Sequence, residues 1–287
     1  MKVLVTGATG FIGRHLIPEL LQAEHAVTVI IRDVERVKQF LWSEHVGLIV
    51  ADIHKLEDCW LRQIGEQDAL MHLAWPDLPN YQELVHVEKN LPADYAFLKK
   101  IVEQGVEQIL VTGTCFEYGN QSGVLNENSP TMPNNPYALA KDSLRKYLQA
   151  LQQDYPFVLQ WARLFYMYGE GQNSNSLLAQ LNDAISSEKS IFNMSGGEQL
   201  RDYLPVDIVA KYLLGLVECQ DCNGVVNVCS GQPISVRRLV ERYLEQRNVK
   251  IILNLGYYPY ADYEPMAFWG DQQKLQNLLK RNNSVEN

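Results

Sequence analysis

Two side chains that could exchange a proton stand in one short segment, Tyr137-Ala138-Leu139-Ala140-Lys141. A helix that begins at Pro136 places the phenol and the ammonium on one face, one turn apart. A tyrosine phenol ordinarily has a pKa of about 10, too high for ready proton exchange at neutral pH. A neighbouring ammonium favours the phenolate and so lowers the pKa of the tyrosine. The pair therefore fits acid–base catalysis, although the same spacing also occurs on ordinary surface helices.

A glycine-rich segment near the N-terminus has the chemistry to bind phosphate. Thr6-Gly7-Ala8-Thr9-Gly10-Phe11-Ile12-Gly13 follows a predicted strand and opens a predicted helix. It has the form G-x-x-G-x-x-G, one residue longer than the G-x-G-x-x-G dinucleotide fingerprint. Glycine permits a tight turn and close approach of a pyrophosphate, whose charge the helix N-terminus stabilises. This context favours a dinucleotide site over a plain loop, with contacts from Gly7, Thr9, Gly10, Phe11, Ile12 and Gly13.

The elements that position these motifs alternate along the first part of the chain. Strands are predicted at Lys2–Val5, Ala26–Ile31, Val46–Val50, Ala69–Leu73, Gln108–Thr112 and Val158–Arg163. Helices are predicted at Ile12–Gln22, Val34–Trp42, Leu56–Ile64, Glu88–Glu103 and Pro136–Gln152, and later at Leu177–Ser186, Ile208–Glu218 and Val236–Gln246. Alternation of this kind indicates a parallel sheet with helices on both faces. We therefore predict an α/β fold, a doubly wound parallel Rossmann sheet with a smaller C-terminal α/β lobe.

The composition excludes several classes of protein. The chain has 287 residues, 46% of them hydrophobic and 21% charged, which is ordinary for a folded globular protein. Its net charge of −9 opposes nucleic acid binding, so an anionic ligand needs local cations. We find neither a signal peptide nor the roughly 20 apolar residues that span a bilayer, and expect a cytoplasmic protein without membrane contact. Cys219 and Cys222 lack the further ligands of a zinc site, so no metal is expected.

The segment T-G-A-T-G-F-I-G, with Y-x-x-x-K after the fifth strand, resembles the extended short-chain dehydrogenase/reductases. These form the NAD-dependent epimerase/dehydratase family, which acts on nucleotide sugars. Ala51-Asp52-Ile53 resembles the family's adenine-contacting segment, and His72-Leu73-Ala74-Trp75 resembles the H-L-A-A turn beside the pyrophosphate. The resemblance implies cofactor contacts at Asp52, Ile53, Leu73, Ala74, Tyr137 and Lys141. Residues 1–165 would then form the dinucleotide-binding domain, and 166–287 mainly the substrate-binding lobe, with some segments returning to the Rossmann domain.

The end of the second strand bears on the choice of cofactor. Relatives place an acidic residue there to bind the adenosine ribose, whereas this chain has Ile31, followed by Arg32 and Asp33. A guanidinium attracts the 2′-phosphate of NADP(H), which a carboxylate would repel. The resemblance therefore favours NADP(H) bound by Arg32. NAD(H) is the alternative, in which Asp33 takes the ribose and Arg32 is a solvated loop residue.

The fifth strand ends in a segment similar to the family's S-S-x-x-V-Y-G, namely Thr112-Gly113-Thr114-Cys115-Phe116-Glu117-Tyr118-Gly119. The similarity implies that Thr114 is the catalytic hydroxyl residue, which hydrogen-bonds the reacting oxygen. Sugar 4,6-dehydratases of this family carry an Asp-Glu pair directly after that hydroxyl, where this chain has Cys115 and Phe116. Dehydration is therefore not expected. Glu117 comes one position later and is expected to be structural or to face the substrate.

Two later segments are similar to the family's substrate contacts. The first begins at Arg163 and resembles R-x-F-N-x-Y-G-x-G-Q, with Tyr166 in place of an asparagine that often contacts substrate. The second begins at Arg201 and is similar to R-D-F-I-H-V-D-D-V-A, whose arginine usually holds the substrate diphosphate. A nucleotide-diphosphate sugar is therefore the expected substrate. Its expected contacts are Thr114, Glu117, Tyr166 and Arg201.

Three functions are consistent with these motifs. The favoured one is NADPH-dependent reduction of the 4-keto group of a nucleotide-linked deoxysugar, such as a dTDP-4-keto-6-deoxyhexose. Tyr137 would donate the proton, Thr114 would orient the oxygen, and Lys141 would assist Tyr137 and hold the ribose. The alternative is an NAD-dependent nucleotide-sugar 4-epimerase, and an alternative of another class is a non-catalytic NADP-binding sensor. The resemblance also implies a homodimer packed through the helices that carry Asn90 and Tyr137.

Overall fold

The computed structural model describes residues 1–219, 222–260 and 265–285. Its strands are β1 (Lys2–Thr6), β2 (Ala26–Ile31), β3 (Gly47–Val50), β4 (Ala69–His72), β5 (Gln108–Thr114), β6 (Gly123–Leu125), β7 (Val158–Leu164), β8 (Tyr166–Tyr168), β9 (Ile191–Asn193), β10 (Leu200–Pro205), β11 (Gly224–Val228), β12 (Pro233–Ser235), β13 (Ile252–Asn254) and β14 (Phe268–Gly270). Its α-helices are α1 (Gly13–Gln22), α2 (Val34–Val37), α3 (Asp58–Leu61), α4 (Leu91–Glu103), α5 (Pro136–Leu151), α6 (Leu177–Ser186), α7 (Val206–Glu218), α8 (Val236–Arg247) and α9 (Gln273–Val285). A π-helical turn lies at His86–Asn90, and 3₁₀ turns lie at Leu41–His45 and Cys115–Tyr118. Within the described ranges, no helix is both long and apolar enough to cross a bilayer.

Seven parallel strands form the central sheet, in the order β11-β7-β5-β4-β1-β2-β3. The chain starts in the middle of this sheet, with β2 on one side of β1 and β4 on the other. The strand order therefore changes direction beside β1, and open α/β sheets bind ligands at the carboxyl ends of the strands at such a point. The predicted doubly wound parallel Rossmann sheet is confirmed.

Alternating side chains of the strands divide the core into two layers, one on each face of the sheet. Val3 and Val5 of β1 belong to the layer covered by α1, α7 and α9. Leu4 belongs to the opposite layer, covered by α3, α4 and α5. All three side chains are fully buried, and each contributes about 1.5–3 kcal/mol of transfer free energy by leaving water.

A smaller lobe follows β7 and packs around α6 and α8. Leu181 and Val240 are fully buried in its core. The lobe contains the three-stranded sheet β12-β10-β8 and the pair β13-β9. Other segments of the same half return to the main sheet, since β11 pairs with β7 and α7 covers one face. The domain boundary after residue 165 stays a prediction.

Two predicted helices are shorter in the structure than their sequence pattern indicates. In place of Val34–Trp42, α2 ends at Val37, because Phe40 adopts an extended backbone with φ −104° and ψ 135°. The Phe40 ring stacks on Trp42 at 4.9 Å between centroids. In place of Leu56–Ile64, helical structure is limited to α3. Apolar spacing over so few residues does not distinguish a helix from a turn that buries the same side chains.

Candidate active site

A cleft of about 1150 Å³ opens at the carboxyl ends of the central strands. Most residues that the sequence predicts for the site line it, namely Gly7, Thr9, Gly10, Phe11, Ile12, Gly13, Arg32, Asp52, Ile53, Leu73, Ala74, Thr114, Tyr137, Lys141 and Tyr166. Glu117 and Arg201 are buried outside its lining. The convergence follows from the topology, because parallel strands present their carboxyl ends at one edge of the sheet.

The glycine loop forms a cradle that suits a phosphate group. Gly7 adopts φ +74°, and a Cβ atom there would lie 2.7 Å from the backbone nitrogen of Ala74. A Cβ atom on Gly13 would collide with the carbonyl oxygen of Gly7, so the loop packs on α1 only without side chains at these positions. No side chain caps the N-terminus of α1, and its first turn has no acidic residue. Its N–H groups and dipole are therefore suited to an anionic pyrophosphate.

The cleft is rich in arginine beside α1 and α2. Arg32 is exposed at the end of β2, and Arg14 and Arg36 also line the cleft. Asp33 accepts a hydrogen bond from a backbone N–H in the first turn of α2 at 2.9 Å and caps that helix. If the cofactor is NAD(H), the Asp33 carboxylate is the group expected to bind the adenosine ribose. In this structure one of its oxygens caps α2. The guanidinium groups favour an anionic ligand at this end of the cleft.

Tyr137 and Thr114 meet inside the cleft. Asn135 caps α5 by accepting a hydrogen bond from the Ala138 N–H at 2.9 Å, which places Tyr137 in the first helical turn. The Tyr137 phenol is hydrogen-bonded to the Thr114 side chain. Burial raises the pKa of Tyr137 well above its ordinary value, and the Thr114 hydrogen bond only partly opposes this rise. In the chain alone burial disfavours the phenolate, and the expected lowering of this pKa by Lys141 together with an oxidised cofactor stays a prediction.

Lys141 is enclosed by protein, with 1% of its surface exposed. Its Nζ donates a hydrogen bond to the Thr112 carbonyl at 2.9 Å and lies 4.0 Å from the centroid of the Trp75 ring. Burial lowers the pKa of Lys141 to about 8, while the charges of Asp94 and Glu117 oppose that fall. The side chain is therefore still largely an ammonium at neutral pH.

The aromatic enclosure of Tyr137 was not predicted from the sequence. The rings of Trp75, Tyr81 and His86 lie 6.0, 5.4 and 5.4 Å from the Tyr137 ring. The Trp75 N–H donates to His86 Nδ1 at 3.1 Å, and His86 Nε2 donates to the Asn80 carbonyl at 3.0 Å. His86 belongs to the π-helical turn before α4, and such turns are frequent at functional sites. The sequence feature that could have indicated this enclosure is Trp75, which stands where the family's H-L-A-A turn has its last alanine.

A buried carboxylate between two histidines was also not predicted. Asp94 on α4 is fully buried, with Oδ1 3.2 Å from His72 Nε2 and 3.4 Å from His54 Nε2. His54 lines the cofactor end of the cleft. The Asp94 hydrogen bond raises the pKa of His54, whereas burial lowers the pKa of His72. An acidic residue on the apolar face of a predicted helix was the available signal.

Glu117 does not contact the cleft, so the expected substrate role is corrected. Its buried carboxylate accepts hydrogen bonds from the Thr114 N–H at 2.8 Å and from the Trp161 indole at 3.0 Å. Arg163 Nε donates to it at 2.8 Å and completes a buried ion pair. The carboxylate holds the end of β5 in place, which is the structural role that the sequence left open.

Arg201 also lies outside the lining of the cleft, and its expected contact with a substrate diphosphate stays a prediction. Only 1% of the residue is exposed. Its guanidinium donates to the Leu200 carbonyl at 2.9 Å and lies 4.8 Å from the Phe268 ring and 5.8 Å from the Tyr166 ring. The aromatic rings cover the cation, and Tyr166 forms the cleft wall instead.

The wall beside Tyr137 is aromatic. Four rings follow one another with centroid separations of 5.3, 6.0 and 5.4 Å, namely Tyr81, Phe116, Tyr166 and Tyr203. Among the described residues, Lys141 is the one lysine in the cleft lining. The arginines of the lining all lie on or beside α1 and α2. This part of the cleft therefore offers mainly apolar and hydroxyl surface to a ligand.

Comparison with known proteins shows the family to which the chain belongs. The sequence profile of the NAD dependent epimerase/dehydratase family matches residues 3–229. The dTDP-6-deoxy-L-talose 4-dehydrogenase (NAD(+)) of Aggregatibacter actinomycetemcomitans is 31% identical over 272 residues, covering 94% of this chain and 99% of that protein. The dTDP-4-dehydro-6-deoxyglucose reductase of Escherichia coli is 24% identical over 270 residues, covering 88% and 83%.

A solved structure extends the likeness to the whole fold. MoeE5 in complex with UDP-glucuronic acid and NAD superposes with a TM-score of 0.81 at 25% identity, covering 98% of this chain and 93% of that one. The family match includes the glycine loop and the Tyr137–Lys141 pair. The resemblance noted in the sequence is thus confirmed. The chain belongs to the NAD dependent epimerase/dehydratase family and is an oxidoreductase or epimerase.

Proposed function

We propose that the enzyme reduces the 4-keto group of a nucleotide-linked 6-deoxyhexose with NADPH, a dTDP-4-keto-6-deoxyhexose being the favoured substrate. The observation that carries the proposal is that Thr114, Tyr137 and Lys141 share one cleft with the glycine loop. The two relatives described above are a dehydrogenase and a reductase whose names place their chemistry at the same carbon of a dTDP-linked 6-deoxysugar. Nucleotide-sugar modification with a nicotinamide cofactor is the activity they support in common.

The chain's own residues handle the proton and charge of this reaction, and the bound cofactor supplies or accepts the hydride. In reduction, Tyr137 donates its phenolic proton to the sugar oxygen as negative charge develops there. Its raised pKa keeps the phenol protonated at neutral pH. Thr114 is hydrogen-bonded to Tyr137 and orients the same oxygen, and the Lys141 ammonium stabilises the tyrosinate left behind and holds the cofactor ribose. Oxidation of the 4-hydroxyl uses these roles in reverse.

The aromatic wall supports a 6-deoxy sugar over a sugar acid. Phe116 and Tyr166 offer apolar surface to a C6 methyl group, whereas a buried carboxylate would need a cation or several donors. The same wall argues against dehydration, because Cys115 and Phe116 occupy the two positions after Thr114 and neither is a carboxylic acid. Glu117 is engaged in its ion pair and supplies no substitute.

Arginine at the adenosine end supports NADP(H) as the preferred cofactor. Arg32 and Arg36 line this end of the cleft, and Asp33, which lines it too, caps α2 with one of its carboxylate oxygens. NAD(H) is the competing cofactor, since the dehydrogenase relative and the MoeE5 complex are both described with NAD.

The cofactor proposal predicts the effect of a single arginine substitution. Arg32→Ala should weaken NADPH binding by about 1.5–3 kcal/mol, the range for a hydrogen bond to a charged group, and leave NADH binding nearly unchanged. Dissociation constants from nicotinamide fluorescence measure both. Equal loss for the two cofactors, or tighter NADH binding by the unsubstituted protein, would contradict the preference.

We also propose a homodimer packed through α4 and α5, as the resemblance implies. Leu139 and Tyr147 on α5 are each 46% exposed. Tyr95 on α4 meets Tyr147 edge-on at 5.4 Å between ring centroids, so the two helices share one aromatic surface. Covering such apolar surface stabilises association by about 25 cal/mol for each Å² removed from water.

One assay separates the competing functions. The purified chain is incubated with NADPH or NADH and a panel of dTDP- and UDP-linked 4-keto-6-deoxyhexoses, and loss of nicotinamide absorbance is followed. Turnover with a dTDP-linked 4-ketosugar is expected. If the protein instead purifies with stoichiometric NAD and interconverts 4-epimers without added cofactor, the epimerase replaces the reductase. A non-catalytic sensor is disfavoured, because all three catalytic side chains are present in the cleft.

A further inference from the structure

We propose that Trp75 is a positioning residue for Lys141, which it holds in the active site through the face of its indole ring. His86 anchors that ring through the indole N–H. The kinetic part of this inference rests on the proposed function, whereas its binding and spectroscopic parts do not.

The Lys141 ammonium contacts the face of the Trp75 ring. Lys141 Nζ lies 4.0 Å from the centroid of the Trp75 ring, well inside the roughly 6 Å over which a cation is attracted to an aromatic face. The Thr112 carbonyl accepts a hydrogen bond from the same nitrogen at 2.9 Å. Because Lys141 is buried, the ring takes the place of water on one side of the charge. Leucine or alanine at position 75 would leave that side without an electrostatic partner.

A hydrogen bond to His86 holds the Trp75 ring in place. The indole N–H of Trp75 donates to His86 Nδ1 at 3.1 Å, and the two rings are nearly parallel, at 24°. His86 Nε2 donates to the Asn80 carbonyl at 3.0 Å, so the pattern requires the neutral tautomer with its proton on Nε2. Asn90 Nδ2 lies 3.3 Å from His86 Nδ1, one π-helical turn further along. The His86 side chain, itself held by the Asn80 carbonyl, therefore determines the orientation of the Trp75 ring.

Burial and the charged groups around Lys141 act in opposite directions on its pKa. Burial lowers the pKa of Lys141 to about 8, and the carboxylates of Asp94 and Glu117 act in the opposite direction. His72 on β4 also interacts electrostatically with this lysine. Because this pKa is about 8, loss of the Trp75 face would lower the charged fraction of the lysine at and above neutral pH. Tyr137, whose ring lies 6.0 Å from Trp75, depends on that charge for its proton transfer.

The decisive comparison uses Trp75→Leu, which removes the aromatic face, and Trp75→Phe, which keeps a face and removes the N–H. Trp42→Phe is the matched control, since Trp42 stacks on Phe40 and does not line the cleft. NADPH and NADH affinities and kcat/KM for the 4-ketosugar are measured from pH 6 to 10, with thermal midpoints as a check of folding.

We expect Trp75→Leu to move the alkaline decline of cofactor affinity and of kcat/KM to lower pH by about one unit. Removing the face disfavours the ammonium, so Lys141 loses its proton at lower pH. Trp75→Phe should show less than about half of this displacement, and Trp42→Phe none. A folded Trp75→Leu protein with an unmoved alkaline decline, or a Phe variant as impaired as the Leu variant, overturns the proposal.

A spectroscopic test keeps the proposal falsifiable if Trp75→Leu does not fold. Titration of Lys141 should change the tryptophan emission of the unsubstituted protein with a midpoint of about 8. That step should be absent in both Lys141→Met and Trp75→Phe and present in Trp42→Phe. If Lys141→Met leaves the emission titration unchanged, the ring does not sense the ammonium and the inference is wrong. Absence of turnover with every sugar, alongside this emission step, would reject the proposed function and retain the role of Trp75.

Discussion

At the scale of single residues, Tyr137 is the proposed proton donor, and its burial strongly disfavours the charged form of its phenol. Only 8% of the residue is exposed and its ring is surrounded by other rings, so burial raises the pKa of its phenol. A protonated phenol suits the donation of a proton to a sugar alkoxide. In the chain without cofactor, the same protonated phenol is a poor base. Oxidation of a sugar hydroxyl therefore requires bound cofactor to favour the phenolate.

The first prediction concerns the phenolic proton. Tyr137→Phe should lower kcat by about 10²–10⁴-fold, the usual contribution of a positioned acid or base, because the ring remains and only the transferable proton is lost. Single-turnover reduction of the 4-ketosugar measures the rate, and nicotinamide fluorescence measures cofactor affinity, which should not change. Retention of more than about a tenth of the rate would move the acid to another residue.

Lys141 shows how a functional residue can lower stability. Its pKa of about 8 in the folded chain lies below the ordinary 10.5, so the unfolded chain holds the proton more tightly. Below about pH 8 this difference favours unfolding by roughly 3 kcal/mol, and the penalty disappears as the pH rises through 10.5.

The second prediction follows from that sign. Lys141→Met should be inactive and yet raise the free energy of unfolding at pH 7 by up to about 3 kcal/mol, with the gain shrinking between pH 8 and 10.5. Urea titrations at several pH values measure it, with the exposed Lys189→Met as the control. A Met variant that is less stable at pH 7 would show that the contacts to Thr112 and Trp75 outweigh the cost of burying the charge.

At the scale of elements, the end of β5 depends on a carboxylate that is buried outside the cleft lining. Glu117 accepts a hydrogen bond from the Thr114 N–H and pairs with Arg163 on β7, so it links the residue that we propose as the catalytic hydroxyl to the neighbouring strand. Thr114 completes a capping box by accepting a hydrogen bond from the Phe116 N–H. The 3₁₀ turn and the strand end are thus held as one unit.

The third prediction tests this unit. Glu117→Gln keeps the size of the side chain and leaves the Arg163 charge buried without a counter-ion, which should cost about 3–5 kcal/mol of unfolding free energy. The exposed pair of Glu35 and Lys38 provides the control, since Glu35→Gln should cost no more than about 1 kcal/mol. Chemical unfolding measures both. Equal small losses would mean that Arg163 finds another partner.

At the scale of the whole molecule, the central sheet and the smaller lobe both contribute residues to the cleft. β8 and the lobe strand β10 are paired, and Tyr166 and Tyr203 of these strands both line the cleft. The face formed by α4 and α5 lies on the opposite layer from α1 and α7. An assembly through α4 and α5 would therefore leave the helices of the other layer uncovered.

The fourth prediction tests that assembly. Tyr147→Glu places a charge on the exposed aromatic surface and should convert a dimer to a monomer, because desolvating a carboxylate opposes apolar burial. Sedimentation velocity measures the mass. Tyr257→Glu is the matched control, since Tyr257 is 58% exposed in the smaller lobe and should leave the mass unchanged. A monomer before substitution would reject the dimer.

Local patterns determined the parts of this protein that short stretches of chain can specify. Six predicted strands of the main sheet match the structure to within two residues at each end, because a short run rich in apolar and β-branched residues marks a buried parallel strand within its own few residues. The glycine loop and the Tyr137–Lys141 pair were equally accessible, since a turn and a helical repeat fix their spacing. Such features depend on neighbours in sequence.

Contacts between distant segments were decided only by the tertiary structure. Lys141 lies over Trp75, and Glu117 pairs with Arg163, through strands and helices that meet only when the sheet forms. Arg201 matches a ligand-binding motif and is nevertheless covered by aromatic rings. Burial and pKa depend on all surrounding groups, most of them remote in sequence. The sequence by itself therefore determined the family, the sheet and the residue that we propose as the acid, whereas packing decided which charged side chains face the cleft and which are buried behind it.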